Sequence, residues 1–285
     1  MPTLSLEKLT EYRNHTFRLQ PGQRLTSQQE AIDYVNQRGF VYFWPIKDIV
    51  LPSLWVAVAG DRPGADEHDD PGHVTWGWKD GLLGKRLWYY AKVLRKRATM
   101  ISLETAPYFY ALSENYGDPD EDYQIQYMQG HLTQESKAIY EALLDKGVLD
   151  TIALRRLTHM TSAESEARFN RALTELQADF KILPVGVTQS GAWHYAFAYD
   201  LVHRHFPKLP EEARFIQERQ ARRRLASLYF QSVGAAQARD LTRLFGWTPA
   251  ETAHILEQLA TAGEVCGGLT LETHTSEWFA LPELV

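Results

Sequence analysis

The densest chemistry in the sequence is the run Gly84 to Arg97, GKRLWYYAKVLRKR, which holds six basic side chains and no acid. Crowded cations are the electrostatic footprint of a nucleic-acid surface, because each Lys or Arg that meets a phosphate releases a condensed counterion. At about 100° per residue the run reads as a helix. Leu87, Tyr90, Ala91 and Leu94 fall on one apolar face, and Lys85, Lys92 and Lys96 form a stripe opposite, flanked by Trp88 and Tyr89, with Arg86 in the same run. Aromatic residues crowd the same region. Thirteen of the thirty-four Phe, Tyr and Trp lie between Phe40 and Tyr110, in clusters such as Tyr42-Phe43-Trp44, Trp76-Gly-Trp78 and Trp88-Tyr89-Tyr90. Rings of this kind stack on bases or line the pocket of a flipped-out base. They equally build an aromatic-rich core, and the basic run threaded through them favours a nucleic-acid surface.

Composition narrows the alternatives. A chain of 285 residues with a single cysteine, Cys266, has no internal disulfide framework or multi-cysteine zinc site, which makes a reducing cytoplasm the default compartment. The start of the chain lacks the pattern of a signal peptide, and the most apolar stretch, Ile49 to Gly60, is too short to span a membrane. No P-loop, G-x-G-x-x-G after a strand, H-E-x-x-H or G-x-S-x-G is present, and no cofactor is expected. Asp66-Glu67-His68-Asp69-Asp70 offers metal-ligating types, but its spacing fits an acidic turn better than a cation loop, so no metal is expected. His203-Arg-His205 reads as structural or solvated. The formal net charge of −6 argues at first against nucleic acid. Two segments, 61–72 and 113–122, read as acidic surface loops and contribute −4 and −5, which leaves a mildly basic remainder of +3.

The elements that would position these residues are legible in the second half. Leu154 to Glu164 aligns without a gap to Leu241 to Glu251, identical at six of eleven positions. In each copy two leucines form the inner face of a short helix. Thr161 or Thr248, with Glu164 or Glu251 three residues on, then forms a capping box that opens a new helix, with Pro249 at the first helical position of the second copy. Each new helix is amphipathic, and an extended pair follows: 180–187 with 193–199, and 264–272 with 277–281. Longer helices precede the copies at about 135–146 and 211–231. Helix, short helix, capped helix and hairpin make a winged helix. Ser27 and Glu30 form a further capping box, and Ile32, Val35, Gly39 and Val41 repeat the spacing of Leu256, Leu259, Gly263 and Val265, which suggests a third copy. The expected fold is mainly α with small β-hairpins: tandem winged helices in 1–130 (with an aromatic and basic insertion), 131–208 and 209–285. The capped helix of such a unit enters the DNA major groove. Arg168 and Arg171 lie on it in the first copy, with Arg155 and Arg156 just before, whereas the second copy offers His254 and Gln258, with Arg239 and Arg243 upstream. Winged helices also bind protein, and that alternative stays open.

With tandem winged helices in hand, the detail resembles the AlkZ/YcaQ family of crosslink-repair DNA glycosylases. The stretch Arg38-Gly-Phe-Val-Tyr-Phe-Trp-Pro-Ile-Lys-Asp with Ser53-Leu-Trp55 resembles that family's first winged helix. Ala167 to Gln177 and Trp76-Gly-Trp78 are similar to its AlkZ-related branch. The resemblance implies winged helices around a concave basic channel that takes double-stranded DNA, hydrolysis of the N-glycosidic bond of alkylated or crosslinked bases, and a monomer. It also implies a departure. Active members carry Gln-x-Gln or Gln-x-Asp on the strand after the first such helix, and here those positions are Tyr42 and Trp44. Neither can act as a carboxylate or an amide. The nearest candidates are Asp48, as a water-activating base, and Lys47, as a phosphate contact or an amine nucleophile; a surface ion pair at a strand end is the plainer reading of both. The resemblance therefore implies DNA binding with excision altered or lost, the alternative being a non-catalytic regulator or damage-recognition factor.

Overall fold

The computed structural model describes residues 3–62, 70–115, 117–191, 194–272 and 274–285. After β1 (Thr3–Leu4) and α1 (Leu6–Thr16), one topology occurs three times. The first unit holds α2 (Gln28–Arg38), β2 (Phe40–Tyr42), α3 (Leu54–Ala59), α4 (Val74–Leu82) and the hairpin β3 (Tyr89–Lys92) with β4 (Ala98–Ile101). Two short helices, α5 (Ala106–Tyr110) and α6 (Pro119–Met128), lead to the second. It comprises α7 (Gln134–Lys146), β5 (Leu149–Asp150), α8 (Thr151–Leu157), α9 (Ala163–Ala178), β6 (Ile182–Thr188) and β7 (Ala196–Leu201). After α10 (Val202–His205) and α11 (Leu209–Ala213), the third runs through α12 (Glu218–Val233), β8 (Ala235–Ala236), α13 (Ala238–Phe245), α14 (Pro249–Thr261), β9 (Cys266–Leu271) and β10 (His274–Ala280). In every unit the short first strand pairs with the second strand of the hairpin, giving sheet orders β2-β4-β3, β5-β7-β6 and β8-β10-β9. β1 extends the last sheet, parallel to β9. The protein is thus mostly helical with three small sheets.

Local chemistry explains most boundaries. Ser27 and Thr248 each form the reciprocal capping box with Glu30 and Glu251, and Pro249 opens α14. Several other boundaries correct the sequence reading. Ser162, not Thr161, caps α9, accepting from the Ser165 N–H at 3.3 Å, so Glu164 falls one position short of the box. α2 is the first helix of its unit rather than the capped third; that position belongs to α4. The expected helix over 211–231 is divided into α11 and α12 by extended backbone at Gln217. The acidic segment 113–122 is not all loop, since Asp118 and Pro119 open α6 and its first-turn acids complement the helix dipole. Within that turn Asp122 is buried and accepts from the Gly117 and Asp118 N–H groups.

The largest correction is the run 84–97, which is a hairpin and not a helix. Tyr89 and Ala91 enter the main core, whereas Trp88 and Tyr90 enter a second core on the opposite face of the sheet. A strand buried on both faces has no polar alternation and cannot be told from a buried helix by periodicity. The main core joins all three units: Tyr42 and Leu94 from the first, Phe180 and Leu183 from the second, Tyr229, Leu241 and Leu256 from the third. The first two units also pack reciprocally. The Gln177 side chain of α9 accepts from the Lys92 N–H at the end of β3, and Lys79 of α4 reaches Tyr195 at the start of β7. Gly84 lets this happen: its φ is +76°, and a Cβ there would sit 2.5 Å from the Val185 carbonyl oxygen of β6.

Lys181, just before β6, is buried and donates to Asn115 Oδ1 at 2.8 Å. Burial pushes its pKa down to about 8, against the opposing pull of Asp179, Asp122 and Glu114. Between that value and its ordinary value near 10.5 the unfolded chain binds the proton that the folded one has lost. The contribution of Lys181 to stability therefore rises with pH across this window. Relative to Lys181→Met, the wild type should gain stability between pH 7.5 and about 10, read as the difference in urea midpoints; a pH-independent difference would refute this.

Candidate nucleic-acid interface

The connection between β3 and β4 gathers four exposed cations, Lys92, Arg95, Lys96 and Arg97, within six residues. Arg95 and Lys96 both adopt left-handed backbone, φ 53° and 57°, a conformation that costs about 1–2 kcal/mol for a side chain with a Cβ. The turn is held there by its neighbours. Leu94 is buried in the main core, its N–H donates to Thr99 Oγ1 at 3.2 Å, and the Thr99 hydroxyl donates to the Arg97 carbonyl at 2.8 Å. Backbone strain fixed by packing in this way is concentrated at functional sites. Glu175 of α9 lies 3.7 Å from Lys96 Nζ, an exposed pair of little energetic weight. Desolvation where its stem packs on the sheet, and after it the charge of Arg97, pushes the pKa of Lys92 down.

The turn rests on α13 of the third unit. Arg243 of that helix donates from Nη1 to the Asp48 carbonyl at 2.9 Å. Asp48 itself sits at φ 62°, exposed, next to exposed Lys47. Lys47, Asp48, Lys92 and Lys96 are therefore drawn to one part of the molecule, together with Arg95, Arg97 and Arg243.

Other expected site residues are placed elsewhere. Tyr42 is fully buried and its hydroxyl reaches the Leu94 carbonyl at 3.4 Å, beneath the basic turn. Burial raises its pKa well beyond the ordinary value, and Arg95 and Arg97 only partly offset this. Trp44 belongs to a different cluster, stacked on Trp55 at 4.1 Å between ring centres and tilted against Trp76. The two side chains do not meet in one pocket. Lys85 and Arg86 lie at the opposite end of β3 from Lys92 and Lys96, so the expected stripe does not exist. Trp88 is buried and offers no ring to a base. Arg155 is occupied by the structure of its own unit, donating to the Met160 and Ser162 carbonyls and lying over Phe169. Arg168 pairs with Glu135 at 3.0 Å, and Arg156 and Arg171 are exposed. His254 and Gln258 bond each other at 2.9 Å. Asp66, Glu67, His68 and Asp69 lie outside the described residues, and Asp70 is paired with Arg62, which holds its pKa down to about 2. Among the described residues no helix is long and apolar enough to cross a membrane.

One cluster has no counterpart in the sequence reading. Lys79 is fully buried, with Nζ over the rings of Phe43, Trp76, Tyr90, Tyr195 and Phe197 at 4.5–5.9 Å. Its ammonium pairs with Asp80 at 2.7 Å and donates to the Tyr195 hydroxyl at 3.2 Å, which in turn donates to Asp80 at 3.1 Å. Desolvation pushes the Lys79 pKa down, and Asp80 restrains the shift. The cage closes the joint between α4 and the second hairpin.

Comparison with known proteins gives two matches. The solved structure of the Streptomyces sahachiroi DNA glycosylase AlkZ is similar over 99% of this chain and 71% of that one, with a TM-score of 0.61 at 14% identity, which establishes a shared fold. No curated protein sequence matches. The family described as AlkZ related matches residues 25–246, most of the chain, from α2 through the basic turn to Arg243 and the end of α13. The chain belongs to the AlkZ-related family.

Proposed function

We propose that the protein binds double-stranded DNA, its three repeats acting as winged helices within 1–130, 131–208 and 209–285. The observation that supports this reading is the basic turn of the first hairpin. Four exposed cations, two of them on left-handed backbone, stand where all three units meet, and among the described residues Glu175 is the carboxylate that pairs with them. The turn is the wing of its unit, and its cations suit phosphate contacts, which position a protein on DNA without reading sequence. Arg171 on the exposed side of α9 extends the surface.

Base excision is the second reading, favoured by one observation: Asp48 presents an exposed carboxylate anchored through its own carbonyl to Arg243, beside the basic turn. A carboxylate there can activate water at a sugar carbon, which buried Tyr42 and stacked Trp44 cannot do. Duplex binding measured by fluorescence anisotropy between about 50 and 200 mM salt should show log affinity falling linearly with log salt. The absence of affinity at low salt would overturn the DNA reading. Against a panel of alkylated and crosslinked duplexes, Asp48→Asn should lower excision about tenfold or more with binding retained. Excision insensitive to that change would remove Asp48 from the chemistry.

A further inference from the structure

At the other end of β3 from the basic turn lies a cleft of about 280 Å³, walled by Leu103, Phe206 and Leu209 and lined by Arg86, His205 and Lys208 with Glu212. Three features set it apart from an ordinary surface depression. Tyr89, also in its lining, is completely buried, yet among the described residues its hydroxyl has no hydrogen-bond partner. A buried hydroxyl without a partner costs about 1–3 kcal/mol, and each such group in a folded protein calls for an explanation. Arg86 holds left-handed backbone, φ 55°, at the mouth of the cleft. Among the described residues neither Arg86 nor Lys208 is engaged in an ion pair, which leaves both cations available to a ligand.

The lining specifies a ligand. Two unpaired cations call for an anion, and a guanidinium beside an ammonium suits phosphate. The ring of Phe206, itself packed at 5.9 Å from Tyr89, offers an apolar face to a planar group. Glu212 would repel a purely anionic ligand but accepts from the N–H edge of a base. His205 is kept neutral by burial and then by the charge of Arg86, so its ring can donate or accept without adding charge. The volume is just under the usual range for small-molecule sites, which suits a single nucleotide better than a larger ligand.

We propose that this cleft binds a single nucleotide, its phosphate held by Arg86 and Lys208, its base lying on Phe206 with its N–H edge toward Glu212, and the Tyr89 hydroxyl gaining a partner. The site is separate from the basic turn and does not depend on the duplex-binding reading. A free nucleotide and a nucleotide at the end of a DNA strand present the same chemistry.

Calorimetric titration of the full chain with AMP and GMP, with no DNA present, tests the proposal. One of them should saturate a single site, with adenosine and inorganic phosphate each at least about tenfold weaker. Arg86→Ala combined with Lys208→Ala, both exposed positions, should weaken binding about tenfold or more. Tyr89→Phe removes only the unpartnered oxygen, so it should fold normally and bind several-fold more weakly. No binding by either nucleotide at about 1 mM, affinity unchanged in these variants, or phosphate binding as well as the nucleotide would overturn the proposal. A duplex with 5′-phosphate ends competes if a strand supplies the nucleotide, and does not if the free nucleotide is the ligand. Loss of nucleotide binding with duplex binding intact would sink this site alone, and the reverse result would sink the duplex reading alone.

Discussion

Replacing Arg95, Lys96 and Arg97 together should lower duplex affinity by about two orders of magnitude near 0.1 M salt and flatten the salt slope by up to about three. Arg95 and Lys96 are best changed to Gly and Arg97 to Ala. Both of the first two occupy left-handed backbone, where glycine carries no steric penalty. The relief of about 1–2 kcal/mol at each position offsets glycine's larger unfolded-state entropy, so the thermal midpoint should stay level or rise. Lost binding in a variant of undiminished stability cannot be assigned to unfolding. A control triple substitution at Arg168, Arg171 and Arg156 removes as many exposed charges from the second unit. If that control weakens binding more than the turn variant does, the main contact lies on α9 and α8 instead. If neither alters affinity, the basic surface does not contact DNA.

The part of this site that was legible in the sequence is its charge, and the part that was not is its geometry. Six cations without an acid between 84 and 97 are a charge pattern that holds whatever the conformation. The helical reading failed because Leu87, Tyr90, Ala91 and Leu94 happen to recur at helical spacing, while the chain buries Trp88 and Tyr90 on one face and Tyr89 and Ala91 on the other. The two later units were legible for a local reason. Their boundaries are written in caps and in a repeat, and a cap acts over three residues. Even so, Thr161 and Ser162 are adjacent residues of equal capping ability, and the structure uses the second. Assigning α2 to the third position rested on a helix-to-strand spacing that any helix before a strand can show. What the sequence could not disclose is contact between distant segments. Arg243 meets Asp48 across 195 residues, and the rings around Lys79 come from positions 43 to 197.

Lys79→Ala should lower folding stability by about 3–5 kcal/mol, the largest effect expected of any single substitution outside the aliphatic core. Truncation removes the ammonium from five rings, opens a cavity at the joint of two units, and leaves Asp80 and the Tyr195 hydroxyl facing each other without their cation. Lys79→Met discriminates between packing and charge. Methionine keeps the length and fills the cage with a polarizable thioether that aromatic edges accept, so a loss below about 1.5 kcal/mol would assign the joint to packing. Asp80 is partly exposed and can recover water when its partner is gone, which limits the electrostatic loss. A methionine variant as unstable as the alanine one would instead make the cation itself the bond between α4 and the second hairpin. Urea unfolding of the three proteins separates these outcomes, provided the slopes with denaturant agree. Because the same joint carries the first hairpin against α9, a loosened cage should also reach the basic turn. Lys79→Ala is therefore expected to weaken duplex binding although Lys79 touches no solvent, and Lys79→Met to leave it close to that of the wild type.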